Sequence, residues 1–256
     1  MRRALKAVGL LLLVGLAFGA GWAWPILVRP GLVVGQDAVT DTASAEVTVE
    51  VEDAGGRTLV ARPPASVTAT DLLVVIYPGG LVRPQAYEWL ARRLAAAGHL
   101  TVIPEFSFDL AVTGVDRADT LIARFGSGRQ VVLAGHSLGG AMAAQYTAAR
   151  IAGGSDAPAG LILMGAYPPS GSDLSGGDLP VLSLLAEHDD VVDAAALEAG
   201  WALLPPDTRR VVVTGAVHAF FGRYGPQAGD GTPTVPRVAA ETQISQAVEE
   251  FLSVLG

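Results

Sequence analysis

One stretch leaves few folds open to this chain: Val131-Val132-Leu133-Ala134-Gly135-His136-Ser137-Leu138-Gly139-Gly140-Ala141-Met142. An apolar, β-rich run stops at a glycine, a serine occupies a tight turn, and two further glycines open an Ala-rich segment of helical composition. This is the G-x-S-x-G strand–turn–helix pattern, in which a strained serine backbone lifts the hydroxyl clear of the turn. Small neighbours are needed there, and Gly135 and Gly139 supply the room. With 31 glycines in 256 residues the pattern alone is a weak signal, so its flanks decide its meaning.

Those flanks alternate between strand and helix. Residues 46–51 alternate polar and apolar as a half-buried strand does, residues 53–56 form a turn, and 58–62 return as a second short strand. Residues 72–77 are continuously apolar, as expected of a strand buried on both faces of a parallel sheet, and Pro78-Gly79-Gly80 ends them. Helical spacing follows over 84–97, then a strand at 100–103, a helix over 114–125, the strand at 130–134 and the helix at 139–152. Further strands are expected at 160–165, 180–186 and 210–214, with helices at 194–203 and 235–255. A hairpin followed by alternating strands and helices describes an α/β domain over 45–256 with a mostly parallel, doubly wound sheet of about eight strands.

The N-terminus is different in kind. Arg2, Arg3 and Lys6 precede an uncharged apolar run over 7–28 that ends at Arg29, with Trp22 and Trp24 at its far end. The run has the roughly 20 residues a spanning helix needs, so residues 1–29 are expected to form a signal-anchor, a transmembrane helix with the N-terminus in the cytoplasm. A cleaved signal peptide, which would leave the protein secreted, and a buried helix are the alternatives. Residues 30–44 then read as a tether to an extracytoplasmic domain. The net charge of −8 argues against nucleic acid as a partner, and the absence of cysteine excludes disulfides, thiolate metal ligands and a cysteine nucleophile.

A serine hydroxyl needs a base and a group to orient that base. Of the four histidines, His136 adjoins the serine on the turn and points away from it, and His99 precedes a strand at the wrong edge. His188 comes before the last strand, whereas His218 follows the final strand in a loop, and the order of serine, acid, then histidine known for hydrolases with this serine turn implies His218 as the best base. The acid should come from Glu187-His188-Asp189-Asp190-Val191-Val192-Asp193, with Asp189 favoured and Asp190 and Asp193 as alternatives, each also suited to a solvated turn or a helix cap. An oxyanion needs preorganised N–H donors. Leu138, next after the serine, offers one, and the loop after residue 77 offers a second, from Gly80 or else Gly79.

Three segments, Tyr77-Pro-Gly-Gly-Leu-Val-Arg-Pro-Gln-Ala-Tyr87, Gly135-His-Ser-Leu-Gly-Gly140 and His218-Ala-Phe-Phe-Gly-Arg-Tyr-Gly-Pro-Gln-Ala-Gly-Asp-Gly231, together resemble the α/β-hydrolases over residues 45–256. The last is the most specific, being similar to a carboxylesterase-like branch with a His…Phe-Gly-x-Tyr-Gly-x-Gln-x-Gly-Asp loop. The chain departs from that pattern at Ala216-Val217, where relatives often have Gly-Asn, and at Ala186, where glycine is common. The resemblance implies Ser137 as nucleophile, Asp189 as acid and His218 as base in the cleavage of a small-molecule carboxylic ester, with no metal or organic cofactor. Thioester, amide or lactone cleavage, acyl transfer, and a non-catalytic tethered binding domain are the rival readings. Residues 166–179 are too short for a separate cap domain, so an open site is expected. Tyr87, Phe220, Phe221 and Tyr224 are candidates for an acyl pocket, and Arg83 and Arg223 for pairing with an acidic substrate group.

Overall fold

The computed structural model describes residues 31–255, so the expected transmembrane helix at 1–29 lies outside the described residues. Among the described residues no helix is long and apolar enough to cross a membrane. Eight strands form one sheet: β1 (Thr48–Asp53), β2 (Arg57–Arg62), β3 (Leu72–Tyr77), β4 (Leu100–Pro104), β5 (Gln130–His136), β6 (Gly160–Met164), β7 (Val181–Ala186) and β8 (Arg209–Val213). Their spatial order is β1-β2-β4-β3-β5-β6-β7-β8. β1 and β2 pair antiparallel, as do β2 and β4, and every other pair is parallel.

The sequence of β3 explains its central place. All six of its residues are apolar and all are buried, which suits a strand covered by helices on both faces. β6 is likewise buried throughout. β1, at the edge, keeps Glu50 in solvent, and Arg62 of β2 pairs with the half-buried Glu52 at 2.6 Å. The helices are α1 (Thr42–Ala45), α2 (Glu88–Ala96), α3 (Arg117–Phe125), α4 (Leu138–Ala152), α5 (Ala194–Trp201) and α6 (Arg237–Leu252). The α/β hydrolase fold with a mostly parallel eight-stranded sheet is therefore present, and residues 165–180, between β6 and β7, hold no helix or strand.

Boundaries differ from the sequence reading where distant groups intervene. The helix expected over 84–97 opens as a 3-10 turn at Pro84–Tyr87 before α2 begins. The helix expected from 114 starts only at Arg117, because its free end is capped from the sheet: Tyr77 Oη accepts Ala118 N–H at 2.7 Å and donates to the Val115 carbonyl at 3.1 Å. β1 starts at Thr48 rather than 46, since the Arg92 guanidinium takes the Ser44 and Val47 carbonyls at 3.2 and 2.8 Å.

Part of the stretch expected as a tether packs on the domain. From Val33 on, the segment belongs to the compact domain. Ala38 and Ser44 are buried, Asp41 caps α1 through Ser44 N–H at 2.8 Å, and Gly35 N–H donates to Glu88 at 2.9 Å. Glu88 is itself buried and pairs with Arg92 at 2.7 Å, so a buried ion pair holds the segment against α2.

Sheet order places the site. The chain runs from β3 outward to β4 and then returns to lay β5 along the other edge of β3, which puts the switch in direction between β3 and β5. In parallel α/β sheets the crevice at the carboxyl ends of such strands is where ligands bind. Tyr77 pairs with Gly135, so the loop after β3 and the serine turn after β5 leave the sheet side by side.

Candidate active site

Ser137 sits between β5 and α4 with φ 50° and ψ −123°, a conformation that side chains rarely adopt. Ser137 N–H is tied to the Met164 carbonyl at 3.0 Å and its own carbonyl accepts Ala141 N–H at 3.1 Å, so the strained turn is pinned at both ends. The glycines work by close approach: a Cβ on Gly139 would collide with the backbone oxygens of Tyr77 and Pro78, and one on Gly135 would lie 2.5 Å from the Gly139 backbone.

His218 opens a 3-10 turn, His218–Phe221, beyond β8. Its Nδ1 is 2.7 Å from Asp189 Oδ2, and both side chains are nearly buried. Asp189 Oδ1 accepts the N–H groups of Val191 and Val192 at 3.1 and 3.0 Å, which fixes the carboxylate on its own loop after β7. Asp193 is instead the N-cap of α5, accepting Ala196 N–H at 2.8 Å, and Asp190 is exposed. Of the three carboxylates open in the sequence, Asp189 alone bonds to a histidine. The His218 ring packs on Gly165, where a Cβ would lie 2.9 Å from Nδ1, and on His136 at 4.5 Å between ring centroids. His218 Nε2 is buried and carries no hydrogen bond among the described residues, so none joins it to Ser137 Oγ.

The other histidines have other partners. His99 meets Thr70 Oγ1 at 2.8 Å, and His188 meets Thr234 Oγ1 at 3.3 Å. His136 is buried, with Nδ1 at 2.8 Å from Tyr87 Oη. Burial first, and the neighbouring His218 second, push the His136 pKa well below its ordinary 6.5, against a smaller upward pull from the His218 backbone.

The loop after β3 has one spare N–H group. Gly79 N–H donates to Tyr87 Oη at 2.9 Å, Leu81 N–H to the Asp109 carbonyl at 2.8 Å, and Val82 N–H to the Gly79 carbonyl at 3.1 Å. Pro78 has none to give. Gly80 N–H alone is uncommitted among the described residues, and Gly80 packs on Leu138, where a Cβ would lie 3.3 Å from Leu138 Cδ2. Leu138, first residue of α4, also has no intrahelical partner for its N–H. Two idle donors thus adjoin the serine, and Gly79 is removed from the pair of candidates by its bond to Tyr87.

Several expected pocket residues have structural duties. Tyr87 and Phe221 are fully buried, while Phe220 lies under the Arg237 guanidinium at 4.7 Å. Tyr224 is half-buried, and its hydroxyl donates to Gln227 at 2.9 Å. Arg223 makes a two-pronged pair with the buried Glu241, both bonds at 2.7 Å, and Arg83 meets Glu105 at 2.9 Å. Both arginines are therefore already matched to carboxylates.

Two groups that hold the His218 turn had no role assigned from the sequence. Asp230 accepts the N–H groups of His218 and Ala219 at 3.1 and 2.8 Å, and Arg237 donates to the carbonyls of Ala219, Gly222 and Tyr224. The Gly-Asp-Gly at 229–231 was the available signal for Asp230. Among the described residues no three His, Asp or Glu side chains gather to hold a metal ion.

Comparison with known proteins bears on the family and the fold. The family model described as "Alpha/beta hydrolase family" matches residues 73–242. No curated protein sequence matches the chain. Among solved structures, a dienelactone hydrolase from Anabaena variabilis superposes with a TM-score of 0.61 at 17% identity, covering 82% of this chain and 99% of that one. A thermostable esterase from Pseudomonas putida gives 0.56 at 16% identity, covering 85% and 86%. TT1662 from Thermus thermophilus gives 0.54 at 19% identity, covering 80% and 98%. At these identities the likeness is one of fold.

Proposed function

This chain belongs to the alpha/beta hydrolase family, and from that premise we propose that it is a serine hydrolase cleaving carboxylic esters through an acyl-enzyme on Ser137. The observation that carries the reading is the 2.7 Å contact of Asp189 with His218 Nδ1, which leaves Nε2 as the only site on that ring able to take a proton. His218 Nε2 removes the Ser137 proton as Oγ bonds to the ester carbonyl carbon, and Asp189 stabilises the imidazolium without taking the proton. The oxyanion is received by Gly80 and Leu138 N–H. Collapse breaks the bond to the alcohol, which leaves with the proton from His218; water, deprotonated by the same ring, then releases the acid and restores Ser137.

The mouth favours an apolar substrate. Leu81, Phe108 and Val112 are 76%, 54% and 55% exposed, and the half-buried Leu110 and Leu138 flank Gly80. Leu81 (φ 60°), Phe108 (57°) and Asp109 (55°) all hold strained backbone there, as residues at ligand sites often do. With Arg83 and Arg223 matched to carboxylates, nothing at this mouth calls for an acidic substrate. The basic start and apolar run of residues 1–29 support anchoring in a membrane with the domain on the extracytoplasmic side.

A fluorophosphonate probe is expected to label the wild-type protein and not Ser137→Ala; equal labelling of the two removes Ser137 as the nucleophile. Hydrolysis of p-nitrophenyl esters against matched thioesters, amides and lactones assigns the bond. A folded wild-type protein that neither labels nor hydrolyses any of them is a binding domain instead.

A further inference from the structure

We infer that Tyr87 and His136 act as a positioning pair that fixes the oxyanion loop against the nucleophile turn; this rests on the reading of Ser137 as nucleophile and Gly80 as donor. Tyr87 Oη lies 2.9 Å from Gly79 N and 2.8 Å from His136 Nδ1, all three groups being buried. An amide N–H can only donate, so Gly79 uses a lone pair of the phenol oxygen. We take the one phenol proton to go to His136, with Nδ1 accepting it. His136 is thereby held as the neutral tautomer with its proton on Nε2. Burial keeps both groups uncharged, raising the Tyr87 pKa well above 10 and lowering that of His136.

The relay has a definite mechanical result. Residue 136 immediately precedes the nucleophile and residue 79 immediately precedes the uncommitted donor, so a phenol bridges the two halves of the site one residue back from each reacting group. The same bond removes Gly79 N–H from use and, with the Leu81 and Val82 bonds, leaves Gly80 N–H as the loop's single idle donor. There is no slack in the joint: a Cβ on Gly79 would lie 2.8 Å from His136 Nδ1 and 3.0 Å from Tyr87 Oη. The pair touches no substrate atom and acts by holding the peptide that does.

Tyr87→Phe and His136→Leu test it in the full chain with a p-nitrophenyl ester. Loss of oxyanion alignment acts in the transition state, so kcat is expected to fall about 10- to 100-fold with KM little changed. His136→Asn offers Oδ1 in place of Nδ1 and is expected to recover most of the kcat lost in His136→Leu. Unchanged kcat in a folded Tyr87→Phe protein, or no recovery in His136→Asn, overturns the pair. Nitrogen NMR of the wild-type histidines gives a check that needs no variant: the Nε2–H tautomer of His136 is expected, and the Nδ1–H tautomer refutes the relay. Failure of the wild-type protein to react with the fluorophosphonate removes the catalytic reading, whereas normal labelling with unaffected Tyr87→Phe kinetics removes this inference alone.

Discussion

At the scale of single residues, the site separates carboxylates that the sequence left equivalent. Asp189, Asp190 and Asp193 share one loop, yet one bonds a histidine, one is exposed and one caps a helix. Asp189→Asn is expected to lower kcat by about 10⁴-fold by letting the imidazole adopt the wrong tautomer, with the fold kept. Asp193→Ala should leave kcat alone and lower unfolding stability by about 1 kcal/mol through the lost cap, read as a shift in the urea midpoint. The distinction was not legible in the sequence because it depends on which loop end His218 reaches. Tyr87 was legible only as one candidate for a pocket for a similar reason: its bonds to residues 79 and 136 join segments that are distant in sequence.

At the scale of elements, the turn between β5 and α4 is set by backbone contact rather than by side-chain preference. Gly139 has the Tyr77 and Pro78 oxygens where a Cβ would go, so Gly139→Ala must part β3 from α4. It is expected to cost at least about 1–3 kcal/mol and to reduce probe labelling. This was readable in the sequence, because glycines spaced around a serine after an apolar strand have few other uses. The His218 turn is a different case. Its length of four residues gives it no stability of its own, and Asp230 and Arg237 supply its hydrogen bonds from the following loop and α6. Asp230→Ala should therefore lower kcat with Ser137 labelling slowed in parallel, and a retained rate would show that the turn holds without it. The late starts of α3 and β1 were hidden for the same reason: Tyr77 caps one and Arg92 diverts the other, each from far away in the chain.

At the scale of the whole molecule, buried ionisable groups connect stability to pH. His136 and His99 both have pKa values below the ordinary 6.5 in the folded state, in each case chiefly because burial disfavours the charged ring. Their contribution is therefore fully present above pH ~6.5 and is lost as pH falls toward the folded values, at up to about 1.4 kcal/mol per pH unit for each ring. Among the described residues, the titratable side chains in ring or hydrogen-bond contact with His136 are Tyr87, His218 and Tyr224. Urea midpoints measured from pH 7.5 to 5 should fall, and His136→Asn should flatten the fall. Breaking the buried Glu88–Arg92 pair with Glu88→Gln strands a cation and is expected to cost about 3–5 kcal/mol. Sheet type and the order of its elements were legible because apolar runs and glycine breaks are local. The docking of residues 33–47 was not, since it rests on charged side chains of α2, Glu88, Arg92 and Arg93, that composition does not single out.

The unequal crowding of the site also bears on how such a protein can diverge. Positions 79, 139 and 165 abut the relay, the turn and the His218 ring so closely that a single added carbon meets an atom within about a bond length of contact. Leu81, Phe108 and Val112 at the mouth are mostly open to solvent. Substitution is consequently barred at those glycines and open at the exposed side chains, so on the proposed reading substrate preference can change while the reaction stays the same.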